Sequence, residues 1–326
     1  MPKRISWKKG MRLTDEVLLA ADQCTADAIG QALILGSAGR FGLFPSAHPF
    51  ELSLSVSKGY VDVESLTCLG ITRAGDVIDA HYDTKFSNSF DTRVQIPGEN
   101  EEREYILTIN VQPDEWQDDA EGYQEPHYSF ALVSPKQSVG QHALPIGRIV
   151  MEDGWHEDNT NFVPPCLYVS SHPKLHELLG QFLGILRTID DRTRQQIDTR
   201  ARQAISIYWP VVQQVLVTVN SEHELMTPQR FQSCVQQVVA AFTTACDLDD
   251  ILQLEDAETF RNYARVAYSY RIAYLRIRQG MGMCYSIGEK IEKFALLREA
   301  PKPVVEQPKP VEQPKPTKRT WGGPNI

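Results

Sequence analysis

Hydrophobic and polar residues alternate in short runs through the first half of the chain, up to about residue 169. The run 50–57 is the clearest, because Leu52, Leu54 and Val56 alternate with serines and a Lys-Gly turn follows. Alternation at every second position is typical of a strand with one buried face, and the turn after it predicts a hairpin. Repeated short strands separated by turns predict an antiparallel β-sandwich rather than a parallel sheet with crossover helices.

The spacing of apolar residues becomes helical after about residue 165. Apolar residues recur every three or four positions over 175–186 and over 231–245, which predicts amphipathic helices with one buried stripe each. A further helix is predicted over 15–35, where Thr14 can cap the first turn. Because every stripe needs a facing helix, these segments predict a bundle, formed within one chain or between chains.

The predicted architecture is therefore α+β, and it divides into three parts. Residues 1–165 are predicted to form the sandwich with its N-terminal helix, 166–300 the helical domain and 301–326 a tail. The tail repeats Val-Glu-Gln-Pro-Lys-Pro, and proline at every few positions predicts an extended, disordered spacer. Trp321 in this tail is either the anchor of a short linear motif or a residue without a specific role.

Charge and composition limit the classes of function. The 326 residues carry a net charge of −9, which argues against duplex nucleic-acid binding, because phosphate contacts need clustered lysines and arginines. Tyrosines and arginines interleave over 261–278, a pattern that can bind single-stranded nucleic acid but more often marks the apolar stripe and cationic outer face of a helix. No nucleic-acid partner is therefore predicted.

The distribution of cysteines and apolar runs bears on the cellular compartment. The six cysteines are scattered without a Cys-x-x-Cys pair, so neither a zinc site nor a disulfide framework is predicted. The longest apolar runs fall well short of the roughly 20 residues that span a bilayer, and the basic N-terminus is not followed by an apolar signal segment. We therefore expect a cytoplasmic protein without direct membrane insertion.

An acidic stretch interrupts the strand pattern over 99–125. It contains ten acidic residues and one arginine, a local charge of −9. We interpret it as a solvated loop, with a docking surface for a basic partner as the alternative.

Three segments are candidates for catalytic or metal chemistry. The glycine-rich run 36–42 follows a predicted helix instead of preceding one, so it indicates a turn rather than a phosphate loop. His172 and His176 have the i, i+4 spacing of a metal pair, but His172 precedes a proline at the helix start, so exposed first-turn histidines are favoured. His156, among carboxylates, is the candidate for a hydrolase, although no nucleophile motif accompanies it. We predict a protein that is not an enzyme and that has no cofactor or metal.

Three segments follow one another in an order that one known family shares. The first is Trp7-Lys-Lys-Gly10-Met-Arg-Leu13, before the long helix, and the second is Phe41-Gly-Leu-Phe-Pro45, followed by paired strands and an Arg-Ala-Gly turn at 73–75. The third joins Leu-Pro at 144–145 to the run Phe-Val-Pro-Pro-Cys-Leu at 162–167, the most specific element. Together they resemble the TssK family, a baseplate subunit of type VI secretion systems.

The resemblance implies a sandwich shoulder, a helical neck that forms a homotrimer, and assembly with wedge proteins of the TssF and TssG type. Within this frame Trp7, Gly10, Leu13 and Trp321 are predicted to bind partners. The trimer neck is predicted to use the apolar stripes of two helices, namely Leu179, Phe182, Leu186, Phe231, Val235, Val238 and Phe242.

The resemblance also bears on the end of the chain. Family members usually carry a C-terminal head domain that contacts the membrane complex, whereas here the proline-rich tail follows the predicted neck. We therefore expect a shortened member, of a kind suited to Bacteroidetes-like systems, whose tail 301–326 reaches a membrane-side partner. A phage-type receptor-binding or tail-fibre adaptor is the alternative, since a sandwich on a trimeric helical neck suits that role too.

Overall fold

The computed structural model describes residues 8–9, 11–57, 59–83, 92–97, 102–118, 124–152, 154–196, 202–248 and 256–293. Strands occupy the first half of these residues and helices the second, which confirms the predicted fold class of antiparallel sheets followed by a helical bundle. The last strand ends at Glu157 and the first bundle helix begins at Pro173. The exact domain limits at 165 and 300 stay predictions.

The first sheet is built around its longest strand, β3, whose alternate side chains are buried. Strands β1 and β2 pair along one side of β3, and β4 and β5 pair along the other, all antiparallel. The strands of this sheet are β1 (Gly42–Leu43), β2 (Glu51–Ser57), β3 (Tyr60–Ile71), β4 (Val77–Asp83) and β5 (Arg93–Gln95). The predicted hairpin is confirmed, and Gly59 adopts a φ of 80° in its turn, which glycine does at no steric cost.

The second sheet has the strand order β7-β6-β8-β9 within the described residues. Its strands are β6 (Glu104–Asp118), β7 (Gln124–Val133), β8 (Ala143–Met151) and β9 (Trp155–Glu157). The interpretation of 99–125 as a loop is therefore wrong for most of that stretch. Buried apolar residues in the first half of β6 fix the strand, and antiparallel pairing with β7 then extends it to Asp118 despite the acidic composition.

The two sheets pack face to face around a main apolar core, and a second, smaller cluster contains Val61, Ile96, Tyr105 and Ile149. Two glycines mark the closest approaches: a Cβ at Gly147 would lie 3.0 Å from Leu52, and a Cβ at Gly70 would lie 2.7 Å from Leu144. The core continues without a break into the helices, so the sandwich and the bundle stabilise each other.

The helical half is a bundle in which each long helix contacts the next and the last contacts the first. These long helices are α2 (Pro173–Arg194), α3 (Arg202–Ser221), α4 (Pro228–Leu248) and α6 (Ala273–Lys293), with the short α5 (Ala257–Ala264) against α4. The tyrosine–arginine stretch over 261–278, interpreted as one helix, is instead divided, because α5 ends at Ala264 and α6 starts at Ala273. None of the helices in the described ranges is long and apolar enough to cross a membrane.

Helix α1 (Asp15–Gly36) stands apart from this core. None of its residues is buried by the described parts of the chain. It touches the sandwich at a glycine pair, where a Cβ on Gly75 would lie 2.7 Å from the carbonyl oxygen of Gly30. The helix predicted over 15–35 is thus present, but most of its apolar surface is uncovered.

Candidate functional site

The junction between sandwich and bundle brings together two of the three sequence motifs. Leu43 of β1 donates its N–H to Pro165 O at 2.8 Å, and Leu167 donates to Leu43 O at 3.0 Å. The backbones touch so closely that a Cβ on Gly42, which has a φ of 138°, would lie 2.4 Å from Pro165 O. Glycine is therefore required at position 42. The two backbone segments are in direct, hydrogen-bonded contact, so the junction is rigid rather than a hinge.

A cationic cluster joins the bundle to both sheets at this junction. The Arg73 guanidinium lies 4.3 Å from the Phe41 ring centroid and 5.7 Å from the Tyr270 ring centroid. Arg73 belongs to the sandwich and Tyr270 to the helical half, so this contact joins the two halves of the chain. The neighbouring Arg271 donates to the carbonyl oxygens of Pro135 and Gln137, in the connection after β7. These contacts fix the orientation of α6 against the sandwich.

His172 lies where the junction meets α2 and is the N-cap residue of that helix. Its Nδ1 accepts the N–H of Lys174 at 3.2 Å, and its ring lies 5.6 Å from that of Phe50. Burial, followed by the nearby Lys174 charge, lowers the pKa of His172 to about 4. The interpretation of an exposed histidine is therefore wrong for His172, whereas His176 is exposed and stacks edge-on with His223.

A cleft of about 470 Å³ opens beside this junction, between the edge of the first sheet and the second. Arg148 lies in it, paired with Asp158 and at 3.9 Å from Glu104. Asp158 also accepts the backbone N–H of Asn161 at 3.1 Å, which orients its carboxylate. The Arg148 Nε is buried and has no hydrogen-bond partner among the described residues.

The remaining charges of the cleft are less well compensated. Burial, with a smaller contribution from Asp158, raises the pKa of Glu157, and the Lys174 ammonium opposes this shift. Lys174 itself donates to the carbonyl oxygen of Asn159. Neither Glu157 nor Glu51 forms an ion pair with any residue that the structure describes. The cleft therefore presents a surplus of negative charge to solvent.

Comparison with known proteins rests on structure, since no protein-family profile and no curated protein sequence matches the chain. A crystal structure of TssK superposes with a TM-score of 0.60 at 14% identity, over 88% of this chain and 69% of that one. The chain has the fold of TssK. TssK of the EAEC type VI secretion system, in complex with nanobody nb18, gives a TM-score of 0.57 at 12% identity, over 83% and 68% of the two chains. A chain of the TssK-TssF-TssG baseplate subcomplex gives 0.57 at 13% identity, over 88% and 99%.

The TssK fold explains why the motifs of the sequence lie where they do. The second and third motifs meet in the bridge between Leu43 and Cys166, at the point where the sandwich passes into the bundle. The resemblance predicted from these motifs is therefore confirmed at the level of the fold.

The residues predicted to form the trimer neck are all enclosed by their own chain. Each has at most 1% of its surface exposed: Leu179, Phe182, Leu186, Phe231, Val235, Val238 and Phe242. Phe182 and Phe231, for example, pack with ring centroids 5.5 Å apart across α2 and α4. In the single chain these stripes form the core of the bundle. That they also form the contacts between the subunits of a trimer stays a prediction, and such contacts would need other surfaces as well.

Of the four residues predicted to bind partners, the structure describes one. Leu13 is 65% exposed, just before α1. Trp7, Gly10 and Trp321 lie outside the described residues, as does the whole tail 301–326. Their role stays a prediction.

The hydrolase candidate receives no support from the geometry. His156 is exposed on β9, and its Nδ1 lies 3.2 Å from Gly154 O instead of facing a nucleophile. It does not line the neighbouring cleft, although Glu157 and Asp158 do. Among the described residues no group of three or more His, Cys, Asp or Glu side chains could hold a metal ion.

Sequence reasoning missed the residues that join sandwich to bundle. Arg73 and Arg271 were visible only as an Arg-Ala-Gly turn and as part of the tyrosine–arginine stretch. Tyr270 beside Arg271 is a weak indication of a cation–π contact, but Arg73 has no aromatic neighbour in the sequence and meets Tyr270 from almost 200 positions away. The cleft around Arg148 and Glu157 could not be predicted either, since segments from several distant parts of the sequence form it.

Proposed function

We propose that this protein is a structural adaptor of a type VI secretion baseplate, a homotrimer that joins TssF- and TssG-like wedge proteins to a membrane-side complex on the cytoplasmic side. The observation that carries the proposal is the fold shared with a chain of the TssK-TssF-TssG subcomplex, over 88% of this chain and 99% of that one.

The surface of α1 supports an assembly role. Four of its large apolar side chains are 47–81% exposed, namely Leu18, Leu19, Ile29 and Leu35. A helix whose apolar side chains are left uncovered by its own chain commonly marks an interaction site. Since the predicted neck stripes are already enclosed, α1 is the surface on which we expect contacts between copies.

Two measurements test the proposal. Light scattering at micromolar concentration should give three times the 36.8 kDa mass of one chain. Co-purification with TssF- and TssG-like proteins from the same organism should recover both. A monomer removes the trimer, and failure to capture either wedge protein removes the baseplate role. Capture of wedge proteins also separates the proposal from a phage-type tail-fibre adaptor.

The tail is proposed to reach the membrane-side partner. It carries five cations and two anions, a net charge of +3 on a chain of net charge −9, and Trp321 could serve as its anchor. Deleting 301–326 should leave trimer mass and wedge capture unchanged and weaken capture of the membrane component. A Trp321→Ala variant should reproduce the loss, and capture equal to that of the full chain would contradict the proposal.

A further inference from the structure

The edge of the first sheet at β2 is open. β2 pairs with β3 on one side, and no strand of the described residues pairs with its other side. Opposite Leu54, Val63 turns its N–H away from β2 and donates it to Thr92 O at 3.0 Å. Leu54 is therefore in a non-hydrogen-bonded pair, so its own N–H and C=O point to the free edge. A seven-residue strand with such an edge is a template for a further strand.

This edge borders the cleft at the junction. Residues 50–53, at the start of β2, form one wall, and residues 146–148 of β8 with 157–159 form the other. β9 contacts β2, so both sheets end on this side of the sandwich. A strand added to β2 would run along the mouth of the cleft, with alternate side chains directed toward it.

The charge of the cleft selects the chemistry of such a strand. Asp158 is matched by Arg148, whereas Glu51 and Glu157 have no ion-pair partner among the residues that the structure describes. Glu157 is half-buried; burial and the Asp158 charge raise the pKa of its carboxyl, and the Lys174 ammonium offsets this rise only in part. A lysine or arginine of an incoming segment would relieve this penalty and find a partly desolvated counter-ion.

We propose that the β2 edge and the adjoining cleft bind an extended segment of a partner protein, which adds to the sheet as an antiparallel strand and places a basic side chain beside Glu157. The inference goes beyond the proposed function, because it names the chemistry of a binding segment and rests on β2 and the cleft alone. The chain's own tail is an unsuitable occupant, since its repeated prolines lack the N–H groups that a ladder needs.

The backbone part of the proposal is tested with a fluorescein-labelled peptide, Thr-Val-Thr-Val-Arg-Val-Thr-Val-Thr, titrated against the full chain. A strand that pairs along one edge uses only every second N–H. We expect binding to weaken at least tenfold when the N–H groups of one alternating set are methylated, and to stay within about twofold when the other set is methylated. Equal losses from both sets, or no binding at about 1 mM, overturn the proposal.

The charge part is tested with Glu157→Gln and a second peptide in which citrulline replaces arginine. The variant should weaken the arginine peptide roughly fivefold and leave the citrulline peptide unchanged, as a half-exposed ion pair predicts. Glu152→Gln, at an exposed position that does not line the cleft, is the matched control and should change neither affinity. A loss of the same size for both peptides overturns the assignment to Glu157.

Two further outcomes separate the possible occupants and the two proposals. Light scattering that shows the peptide dissociating copies of the chain would mean that a second copy occupies the edge, which counts against a partner segment. Capture of wedge proteins without peptide binding leaves the proposed function intact and removes this inference. Peptide binding without capture of wedge proteins removes the proposed function and leaves this inference intact.

Discussion

At the scale of single residues, Gly280 shows how one missing side chain allows two helices to pack. It lies inside α6, where a Cβ would come 2.1 Å from Tyr263 Oη and 2.6 Å from Val235 Cγ1. Glycine inside a helix ordinarily indicates a weak point, and α6 contains glycine at both 280 and 282. The structure instead continues the helix through both, because Tyr263 of α5 fills the space above Gly280.

We predict that Gly280→Ala lowers the free energy of unfolding by about 1–3 kcal/mol, because the added methyl overlaps the buried Tyr263 ring. Gly282→Ala is the matched control: nothing lies within 4 Å of its Cβ position, so helix propensity should raise stability by about 0.5–1 kcal/mol. Denaturant titration measures both. Adding Tyr263→Phe to Gly280→Ala removes the Oη atom and should restore part of the lost stability. Equal stability of Gly280→Ala and Gly282→Ala would show that the contact with Tyr263 does not limit the side chain at position 280.

His172 leads to a prediction of pH dependence. Burial lowers its folded-state pKa to about 4, below the unfolded value of 6.5. The unfolded chain therefore binds more protons between these values, so its contribution to stability is complete above pH 6.5 and is lost as the pH falls toward 4. The loss should amount to about 2–3 kcal/mol.

The matched variant is His172→Asn, which keeps an N-cap acceptor but cannot titrate. Free energies of unfolding are measured for both proteins between pH 7 and 4, and the protein with His172 should lose about 2–3 kcal/mol more than the variant over this range. Parallel pH profiles for the two proteins would show that His172 is not the group responsible.

At the scale of elements, the helical bundle is oriented by few contacts outside the shared core. Arg271, just before α6, donates to two carbonyl oxygens in the connection between β7 and β8. We predict that Arg271→Ala destabilises the chain by about 1–3 kcal/mol, because it leaves these acceptors without their donor. It should also separate the unfolding of sandwich and bundle into two calorimetric transitions.

Two controls accompany this variant. Arg271→Lys should show a partial effect, since an ammonium cannot reproduce the fork of the guanidinium. Arg276→Ala should have little effect, because Arg276 bonds only to Gln279 of its own helix in the described contacts. A single unchanged transition for Arg271→Ala would mean that the core alone holds the two halves together.

At the scale of the whole molecule, the exposed surface of α1 leads to a prediction about assembly. Leu19 is 62% exposed in the single chain, so Leu19→Glu should leave the chain folded while dissociating the trimer, because a buried charge at an interface between copies is costly. Val217→Glu, 68% exposed on α3, is the control and should keep the trimer mass. Light scattering and circular dichroism distinguish dissociation from unfolding. A trimer that survives Leu19→Glu would exclude this face of α1 from the contact.

The sequence by itself determined that strands precede the helical bundle, and it determined the type of the elements with the clearest periodicity. Alternation in 50–57 predicted the β2–β3 hairpin, and the stripes over 175–186 and 231–245 predicted α2 and α4, because a half-buried strand and a half-buried helix each impose a period on their own residues. Its motifs also indicated the TssK fold, which the solved structures share.

Only the tertiary structure decided which of these surfaces remain available. The stripes over α2 and α4 could face another helix of the same chain or of a second copy, and the structure buries them within one chain. It also turned the acidic stretch largely into strand, placed Arg73 against Tyr270, and assembled the cleft beside β2. The periodicity of a segment indicates that one of its faces is buried. It does not indicate which surface covers that face, since this depends on contacts between residues distant in sequence.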